Sequence, residues 1–318
     1  MKKKYLVTGG TGFIGSNIVK LLVKLKKKVT VYDNDIRGQK KRLAHLKNYV
    51  KFINGDIRDK KKIFKAAKNI DSIIHLAYIN GTKYFYSKPE LVLDVATKGL
   101  VNIFDAAKKY KIKEIFLASS SEVYQTPLKI PTDENEPLKI PDVYNPRYSY
   151  GGGKILTELF GLHAGKKIFN RVVIFRPHNV YGPDMGNEHV IPEFVKRIRK
   201  ITKNNQFFTI EGTGKEVRSF IFIDDFVKAF EILLKKGKHL NIYNIGTTEK
   251  IKIKELANII SKITNKKIKI KHKTLKKGGT KIRLPNILKI KKLGFKSQTS
   301  IKSGLKKILF KKDEKNFY

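Results

Sequence analysis

The chain has 318 residues, enough for one large hydrophobic core or for two coupled domains. Its hydrophobic content of 41% is ordinary for a globular protein, and the absence of cysteine excludes disulfides, thiolate metal sites and cysteine nucleophiles. Lysine and arginine number 69 against 27 acidic residues, a formal net charge of +42, but only ten of the basic residues are arginines. Since arginine dominates base recognition, we interpret the excess as lysine on a solvated surface rather than a specific nucleic-acid site.

We expect no targeting signal at the N-terminus. The lysines at positions 2 to 4 lead directly into an apolar strand, without an apolar stretch of signal-peptide length or a small-residue cleavage site. No run reaches the roughly 18 apolar residues of a membrane span. We therefore expect a cytoplasmic protein that does not insert into a membrane and that has no metal site.

Short apolar runs alternate with amphipathic runs through the first half of the chain. This pattern predicts a parallel α/β sheet covered by helices with right-handed crossovers. After residue 176 the alternation loosens, which indicates a smaller C-terminal lobe closing over a cleft. We predict a first domain over 1–176, completed by strands from about 217–246, and a mainly substrate-binding lobe over 177–318. The predicted strands are 5–8, 29–33, 51–54, 72–76, 115–119 and 171–175, and the predicted helices are 12–26, 60–68, 90–109 and 150–165.

A glycine-rich loop follows the first predicted strand and opens the first helix. Its glycines at 9, 12 and 15 allow a tight turn and close approach to a pyrophosphate, while the helix N-terminus faces the phosphates. Asp33 ends the second strand, where a carboxylate accepts ribose hydroxyls and repels a 2′-phosphate. NAD is therefore the expected cofactor, with NADP left open by the nearby Arg37. The predicted cofactor-binding residues are Gly9, Gly12, Phe13, Ile14, Gly15, Asp33, Asn34, Asp56, Ile57, Leu76, Ala77, Tyr150 and Lys154.

The stretch Tyr150-Gly-Gly-Gly-Lys154 is the most informative in the chain. Three glycines in a predicted helix cost roughly 2–3 kcal/mol relative to alanine, so stability does not explain them. Positions i and i+4 share a helix face, which places the phenol beside the ammonium. A cation there would lower the pKa of the phenol and give an acid–base pair near neutral pH. The glycines would then leave room for substrate or nicotinamide, and Gly152→Val is expected to impair binding more than stability.

The few arginines are informative in a chain that prefers lysine. A guanidinium supplies a planar, bidentate fork that lysine does not. Arg147, Arg176, Arg218 and Arg283 are therefore candidates for roles that require such a fork.

Further motifs occur in one order along the chain, and together they resemble the extended short-chain dehydrogenase/reductase family, in its nucleotide-sugar epimerase/dehydratase branch. The resemblance covers about residues 5–309. It implies a Rossmann-type doubly wound parallel sheet with a smaller C-terminal α/β substrate lobe, NAD as cofactor, and a homodimer formed through the helices at 90–109 and 150–165. The motifs besides the glycine loop and Tyr150-x-x-x-Lys154 are Gly55-Asp56, His75-Leu76-Ala77, Ser119-Ser120-Ser121 with Tyr124, Arg176-Pro177, Asn179-Val180-Tyr181-Gly182-Pro183 and Arg218.

The resemblance assigns catalytic roles to Tyr150, Lys154 and Ser120. Tyr150 would take the proton of the sugar's C4 hydroxyl as hydride leaves C4 for NAD⁺. Lys154 would lower the pKa of the phenol and hold the nicotinamide ribose. Ser120 would donate a hydrogen bond to the reacting oxygen.

Glu122 bears on the product. In the family, 4,6-dehydratases have Asp-Glu at positions 121 and 122, decarboxylases have Ser-Glu, and many 4-epimerases have no acid there; this chain has Ser121-Glu122. A nucleotide-sugar 4-epimerase is expected from the family's commonest activity. The alternatives are a 4,6-dehydratase or a UDP-glucuronate-type decarboxylase with Glu122 as catalytic base, or Glu122 orienting Tyr124. A non-enzymatic alternative is a cofactor-sensing or anionic-surface-binding protein on the same fold.

The substrate, a nucleoside diphosphate sugar, is expected to meet residues from several segments. Three departures from the family's usual pattern indicate an unusual sugar. They are Tyr78 to Thr82 in place of a second alanine and a simpler loop, a longer segment at 140–149, and His178 in place of an apolar or small residue. The predicted substrate-binding residues are Ser121, His178, Asn179, and, as a diphosphate clamp, Arg218 and Arg283.

Overall fold

The apolar runs of the first half form strands, as β-branched and aromatic residues favour. The computed structural model describes residues 2–186, 188–203, 205–274 and 278–310. Its strands are β1 Lys4–Thr8, β2 Lys28–Asp33, β3 Val50–Asn54, β4 Ser72–His75, β5 Glu114–Ala118, β6 Arg171–Pro177, β7 Val180–Tyr181, β8 Gln206–Glu211, β9 Val217–Arg218, β10 Ile221–Phe222, β11 Asn241–Ile245, β12 Ile251–Lys252, β13 Ile268–Lys273 and β14 Ile282–Arg283.

The helices follow the amphipathic runs between the strands. The short helix after β4, at Thr82–Ser87, and the helices after residue 189 were not predicted from the sequence. The helices are α1 Phe13–Lys24, α2 Lys60–Ala67, α3 Thr82–Ser87, α4 Pro89–Lys109, α5 Tyr148–Leu159, α6 Gly165–Ile168, α7 Val190–Arg199, α8 Ile223–Lys236, α9 Ile253–Ile263, α10 Leu288–Lys291 and α11 Ile301–Leu309. Among the described residues, none of these helices is long and apolar enough to cross a bilayer.

Seven parallel strands form the central sheet in the order β11-β6-β5-β4-β1-β2-β3. Helices cover both faces: along β1, Leu6 packs into the core that contains α2 and α4, and Val7 packs into the core that contains α1 and α8. The strand order reverses between β1 and β4, which opens a cleft beyond the carboxyl ends of these strands. The predicted doubly wound, Rossmann-type parallel sheet is confirmed.

The second half of the chain adds small sheets beside this core. β7 pairs with β10, β8 with β13, and β9 with both β12 and β14. Of the strands between 217 and 246, β11 joins the central sheet next to β6, whereas β9 and β10 lie in the small sheets. The division into domains at residue 176 stays a prediction, and the last eight residues of the predicted lobe lie outside the described residues.

Helix α5 contains the glycine run. It begins at Tyr148, two residues before Tyr150, and continues beyond Leu159 through a π-helical turn to Ala164. Its N-terminal end faces the carboxyl ends of the central strands, so Tyr150 and Lys154 reach the cleft.

Candidate active site

The loop between β1 and α1 forms one end of the cleft. Gly9 has a φ of +71°, and a Cβ there would lie 2.6 Å from the backbone nitrogen of Ala77. A Cβ at Gly15 would overlap the carbonyl oxygen of Gly9. Since α1 begins at Phe13, its unpaired N–H groups lie beside the space that these glycines leave open. This arrangement suits a pyrophosphate.

Asp33 is held in place at the end of β2. Its Oδ1 accepts from the backbone N–H of Asp35 at 3.0 Å, and its Oδ2 accepts from that of Thr11 at 2.9 Å. Each carboxylate oxygen keeps a second lone pair for another donor. Arg37, which left NADP open in the sequence, pairs with Glu188 at 2.6 Å. Its charge is therefore balanced within the protein.

The remaining predicted cofactor residues line the same side of the cleft. Asp56 makes a bidentate pair with Arg58, and the hydrogen bond from Arg58 lowers the pKa of Asp56. Asn34 donates to Asp56 at 3.1 Å. The side of the cleft beyond Asp33 is lined by Asn34, Asp56, Ile57, Leu76 and Ala77.

Tyr150 and Lys154 lie buried at the other end of the cleft. The Tyr150 ring stacks on Phe85, with ring centroids 4.7 Å apart, and meets the edge of Tyr78 at 5.1 Å. Its hydroxyl is hydrogen-bonded to Ser120, which follows β5. The Nζ of Lys154 donates to the carbonyl oxygen of Ala118 at 2.7 Å and lies 3.8 Å from the Tyr78 ring centroid. Tyr150, Lys154 and Ser120 therefore line one cavity with the glycine loop.

The pKa of Tyr150 does not follow the sequence-based prediction. Burial raises it well above its ordinary value, with the Ser120 hydrogen bond as the largest opposing effect. Burial also lowers the pKa of Lys154 to about 7, opposed by Glu158. The prediction that Lys154 lowers the pKa of the phenol is wrong in this structure, because its ammonium faces Ala118 and Tyr78.

The three glycines of α5 have unequal surroundings. A Cβ at Gly152 would meet only Ile140, at 3.4 Å, an ordinary van der Waals distance. A Cβ at Gly153 would overlap the hydroxyl of Tyr78 and lie 2.8 Å from the Cβ of Ala96. A Cβ at Gly151 would lie 2.7 Å from the Nε2 of Gln125, so Gly151 and Gly153 are both constrained. The expectation placed on Gly152→Val has no support in these contacts.

Glu122 lies among arginines. Its Oε1 accepts from Arg283 at 2.6 Å, and Arg147 lies 3.8 Å from its Oε2. Burial alone would raise the pKa of Glu122, but the guanidinium groups of Arg283, Arg147 and Arg218 bring it below its ordinary value. Glu122 is therefore an ionised carboxylate in a region of excess positive charge.

Arg218 contributes to this region from β9. It donates to the carbonyl oxygens of Val217, Lys281 and Thr280, and burial lowers its pKa to about 10. The two predicted members of a diphosphate clamp therefore differ: Arg283 is paired with the carboxylate of Glu122, whereas Arg218 donates to backbone carbonyl oxygens.

The predicted substrate residues near β6 separate into two groups. Ser121 and Asn179 line the cavity, and Asn179 donates to the carbonyl oxygen of Ser219 at 2.7 Å. His178 is only 1% exposed and contacts Asn244 at 3.0 Å, and burial lowers its pKa to about 3. In contrast to the prediction, His178 therefore lies in the core, because alternation along the chain turns it away from the cavity wall.

Arg176 uses its fork inside the protein. It makes a bidentate pair with Glu158, at 2.8 and 2.6 Å, and donates to the Tyr124 hydroxyl at 2.6 Å. Glu158 also accepts from Ser119, directly before Ser120. This buried group supports the end of β5 rather than binding ligand.

Sequence reasoning did not find all residues of the cavity wall. His189, before α7, and Asn80 also line the cavity, and burial lowers the pKa of His189. The residues around His189 and Asn80 form no periodic pattern or spaced motif that would predict a site from the sequence. In the sequence Tyr78 is marked only by replacing an alanine of the family's usual pattern, whereas the structure places it between Tyr150 and Lys154.

The whole arrangement agrees with known proteins. The sequence model of the NAD dependent epimerase/dehydratase family matches residues 5–246. The chain belongs to this family. Its relatives are named enzymes, and members carry out several reactions.

Three similar proteins show this range. UDP-N-acetyl-alpha-D-glucosaminuronate decarboxylase of Bacillus cytotoxicus is 33% identical over 97% of each chain. dTDP-D-glucose 4,6-dehydratase of Dictyostelium discoideum is 33% identical over 82% of this chain, which spans 62% of that relative's length. UDP-N-acetylglucosamine 4-epimerase of Methanobrevibacter ruminantium M1, solved with UDP-N-acetylmuramic acid, is 26% identical, with a TM-score of 0.86 over 97% of this chain and 98% of that one. Family membership makes the chain an NAD-dependent enzyme of the epimerase/dehydratase type and leaves its reaction open.

Proposed function

We propose that this enzyme binds a nucleoside diphosphate sugar and oxidises its C4 hydroxyl to a ketone, with NAD as hydride acceptor. The observation that carries the proposal is that Tyr150, Ser120 and Lys154 line the same cavity as the glycine loop. The loop fits a dinucleotide, because backbone atoms lie so close to Gly9 and Gly15 that only glycine fits there, and this close packing sets the N-terminus of α1 against the cavity.

In this proposal the side chains divide the proton chemistry between them. Tyr150 accepts the proton of the C4 hydroxyl, and Ser120 holds the same oxygen. Lys154 donates an N–H to the nicotinamide ribose. NAD, when bound, supplies the site that takes up hydride and returns it. Because burial raises the pKa of Tyr150, its hydrogen bond to Ser120, the largest effect that lowers that pKa, becomes part of making the phenol a usable base.

We propose 4-epimerisation as the overall reaction. Hydride must return to the opposite face of the ketone, and no acid or base beyond Tyr150 is required. A 4,6-dehydratase needs a base for the C5 proton. Glu122 suits that role poorly, because the Arg283 guanidinium at 2.6 Å keeps its pKa low and so weakens it as a base.

Decarboxylation is the second candidate, and the arginines favour it. Arg147, Arg218 and Arg283 outnumber Glu122 at the sugar end, leaving positive charge that suits a C6 carboxylate. Oxidation of such a sugar at C4 produces a β-keto acid. The electron pair of the C5–C6 bond then moves into the ketone as carbon dioxide leaves, and the enolate takes up a proton at C5. The similarity to a decarboxylase over 97% of both chains supports this candidate.

Product analysis tests the proposal. The protein is incubated with NAD and, in turn, with UDP-glucose and UDP-glucuronate, and the products are identified by mass and by sugar analysis. Epimerisation leaves the mass unchanged, dehydration removes water, and decarboxylation removes carbon dioxide. Turnover without water or carbon dioxide loss, yielding the C4 epimer, is the expected result.

Tyr150→Phe tests whether the site is catalytic. We expect turnover to fall by about 10²–10⁴-fold, the usual contribution of general acid–base catalysis. Tyr144→Phe is the matched control, because Tyr144 is 94% exposed. Unchanged turnover in Tyr150→Phe would contradict the proposed role and favour a cofactor-sensing or surface-binding protein.

Glu122→Gln separates the product candidates. Epimerisation is expected to persist, since it does not use the carboxylate as a base. Loss of an observed dehydratase or decarboxylase activity would instead support Glu122 as a participant.

We also propose a homodimer through α4 and α5. Both helices expose large apolar side chains, Leu93 and Val101 on α4 and Leu159 on α5, each more than 40% exposed. Such apolar surface is typical of an interface. Light scattering is expected to give twice the chain mass, and a monomer at micromolar concentration would contradict the proposal.

A further inference from the structure

Tyr78 holds an unusual position in the cleft. It follows β4 and the residue pair Leu76-Ala77, and its side chain lines both the adenine side and the sugar side of the cavity. Its hydroxyl is buried and has no hydrogen-bond partner among the described residues. The interactions of Tyr78 with its neighbours are therefore made by its ring rather than by a hydrogen bond from its hydroxyl.

The Tyr78 ring lies against the two side chains of the proposed hydride-transfer site. The Lys154 Nζ is 3.8 Å from its centroid, against 5.8 Å from that of Tyr150. The planes of the Tyr78 and Tyr150 rings are nearly perpendicular, at 85°. A cation over an aromatic face is attracted by the ring quadrupole, most strongly where water is excluded.

The surroundings of the Lys154 ammonium are therefore fixed on two sides. One N–H points to the carbonyl oxygen of Ala118 at 2.7 Å, and the ring of Tyr78 covers a second side. An ammonium has three N–H groups. The two contacts leave one direction for the cavity, which Lys154 lines.

The glycine run is matched to this arrangement. A Cβ at Gly153 would overlap the Tyr78 hydroxyl, whereas one at Gly152 would meet only Ile140 at 3.4 Å. Helix α5 thus has a glycine, Gly153, where the Tyr78 side chain contacts it. The sequence couples residue 78 to residue 153, and both adjoin Lys154.

We propose that Tyr78 is a positioning residue that holds the Lys154 ammonium so that its remaining N–H is directed at the bound nicotinamide nucleotide. This inference rests on the proposed function, because it takes Lys154 as the group that holds the nicotinamide ribose. The role that the inference adds is the orientation of the Lys154 ammonium by Tyr78.

A double-mutant cycle on NAD affinity tests the inference in the full-length protein. Tyr78→Leu keeps apolar volume and removes the aromatic face, and Tyr78→Phe keeps the face. We expect Tyr78→Leu to weaken NAD binding about tenfold by titration calorimetry, and Tyr78→Phe to bind within about twofold of the parent. In a Lys154→Ala background, Tyr78→Leu should have no further effect.

A merely structural role predicts a different pattern. If Tyr78 only fills space or touches NAD directly, Tyr78→Leu will weaken binding equally with and without Lys154, and the proposal is overturned. The readout does not depend on finding the sugar, so failure of this inference and failure of the proposed turnover are separate results.

The glycines provide a second route if Tyr78→Leu does not fold. Gly153→Ala is expected to displace the phenol and weaken NAD binding about as much as Tyr78→Leu does. Gly152→Ala is the matched control and should bind like the parent. Equal affinity of the two alanine variants would contradict the coupling between Gly153 and Tyr78.

Discussion

At the cofactor end of the cavity, backbone atoms form most of the site, whereas at the sugar end charged and aromatic side chains form it. The glycine loop and Asp33 come from one short stretch of chain. Glu122 and Arg283, by contrast, are 161 positions apart and meet at 2.6 Å. Spacing along the chain therefore specifies the first end, and long-range pairing specifies the second.

The difference also concerns what each end tolerates. A backbone site fails when any side chain intrudes. A side-chain site changes its electrostatics when one partner is lost. Substitutions at the cofactor end should therefore change the affinity for the cofactor. Substitutions at the sugar end should change the stability of the protein and its dependence on pH.

The largest expected effect is at the cofactor end. A Cβ at Gly15 would overlap the Gly9 carbonyl oxygen and lie 2.9 Å from the Gly10 Cα, all backbone atoms that have little room to move. We expect Gly15→Ala to weaken NAD binding more than about 100-fold by titration calorimetry. Gly186→Ala is the control, because among the described residues its Cβ would meet Arg37 alone, at 3.9 Å. Binding of NAD by Gly15→Ala within tenfold of the parent would show that the loop is less constrained than its contacts indicate.

At the sugar end, removal of one partner should change stability. Arg283→Met removes the main group that lowers the pKa of Glu122, and burial then raises that pKa. Because Arg147 and Arg218 still favour the charged form of Glu122, the variant should lose about 1–3 kcal/mol of the free energy of unfolding at pH 7, as expected when a buried group loses a hydrogen-bond partner. In the parent, the low folded pKa stabilises the protein above the unfolded value of 4.5, and this is lost as pH falls through the folded pKa.

The higher folded pKa of Glu122 in the variant weakens this stabilisation at pH 7, so the difference in stability between variant and parent should shrink between pH 7 and pH 4. Urea unfolding at both values measures it. Lys235→Met is the matched control, since its pair with Glu231 is exposed and should contribute less than about 1 kcal/mol. An equal loss at both pH values would mean that Glu122 does not respond to Arg283.

Cofactor selectivity at the adenine side gives a smaller effect. Glu188 balances Arg37 at 2.6 Å, while Tyr84 supports the guanidinium at 4.9 Å. Glu188→Ala frees the guanidinium for a 2′-phosphate, so we expect the ratio of NADP to NAD affinity to rise about tenfold. Glu193→Ala removes an exposed partner of Arg197 and serves as the control. A ratio that stays constant would leave Asp33 as the sole discriminator.

Features that depend on local spacing along the chain could be predicted from the sequence, and features that depend on long-range contacts could not. The central sheet and the glycine loop were predictable because periodicity and local spacing carry them. The surroundings of Lys154 were not, because the position of its ammonium depends on Tyr78, 76 residues earlier. The position of His178 next to Asn179 predicts that it lines the cavity. Neighbouring side chains point to opposite sides of an extended chain, however, and His178 points into the core. Of the four arginines singled out against the lysine background, Arg176 makes a bidentate pair with a carboxylate.

The smallest expected effect compares one buried histidine from each end. His75, hydrogen-bonded to Thr8 at the cofactor end, and His178, beside Asn244 at the sugar end, both have pKa values lowered to about 3 by burial. The unfolded chain takes up protons near pH 6.5 and the folded chain does not, so stability falls as pH drops below 6.5. Each histidine should contribute about 1 kcal/mol to the loss between pH 7 and pH 5.5. His75→Gln and His178→Gln should each remove their share, measured by urea unfolding at the two pH values, while Gln in place of the exposed His163 should not. One of the two substitutions could leave the pH dependence of the free energy of unfolding unchanged. The protein around that histidine would then admit water or relax when the imidazole becomes charged, and its packing would be looser than around the other histidine.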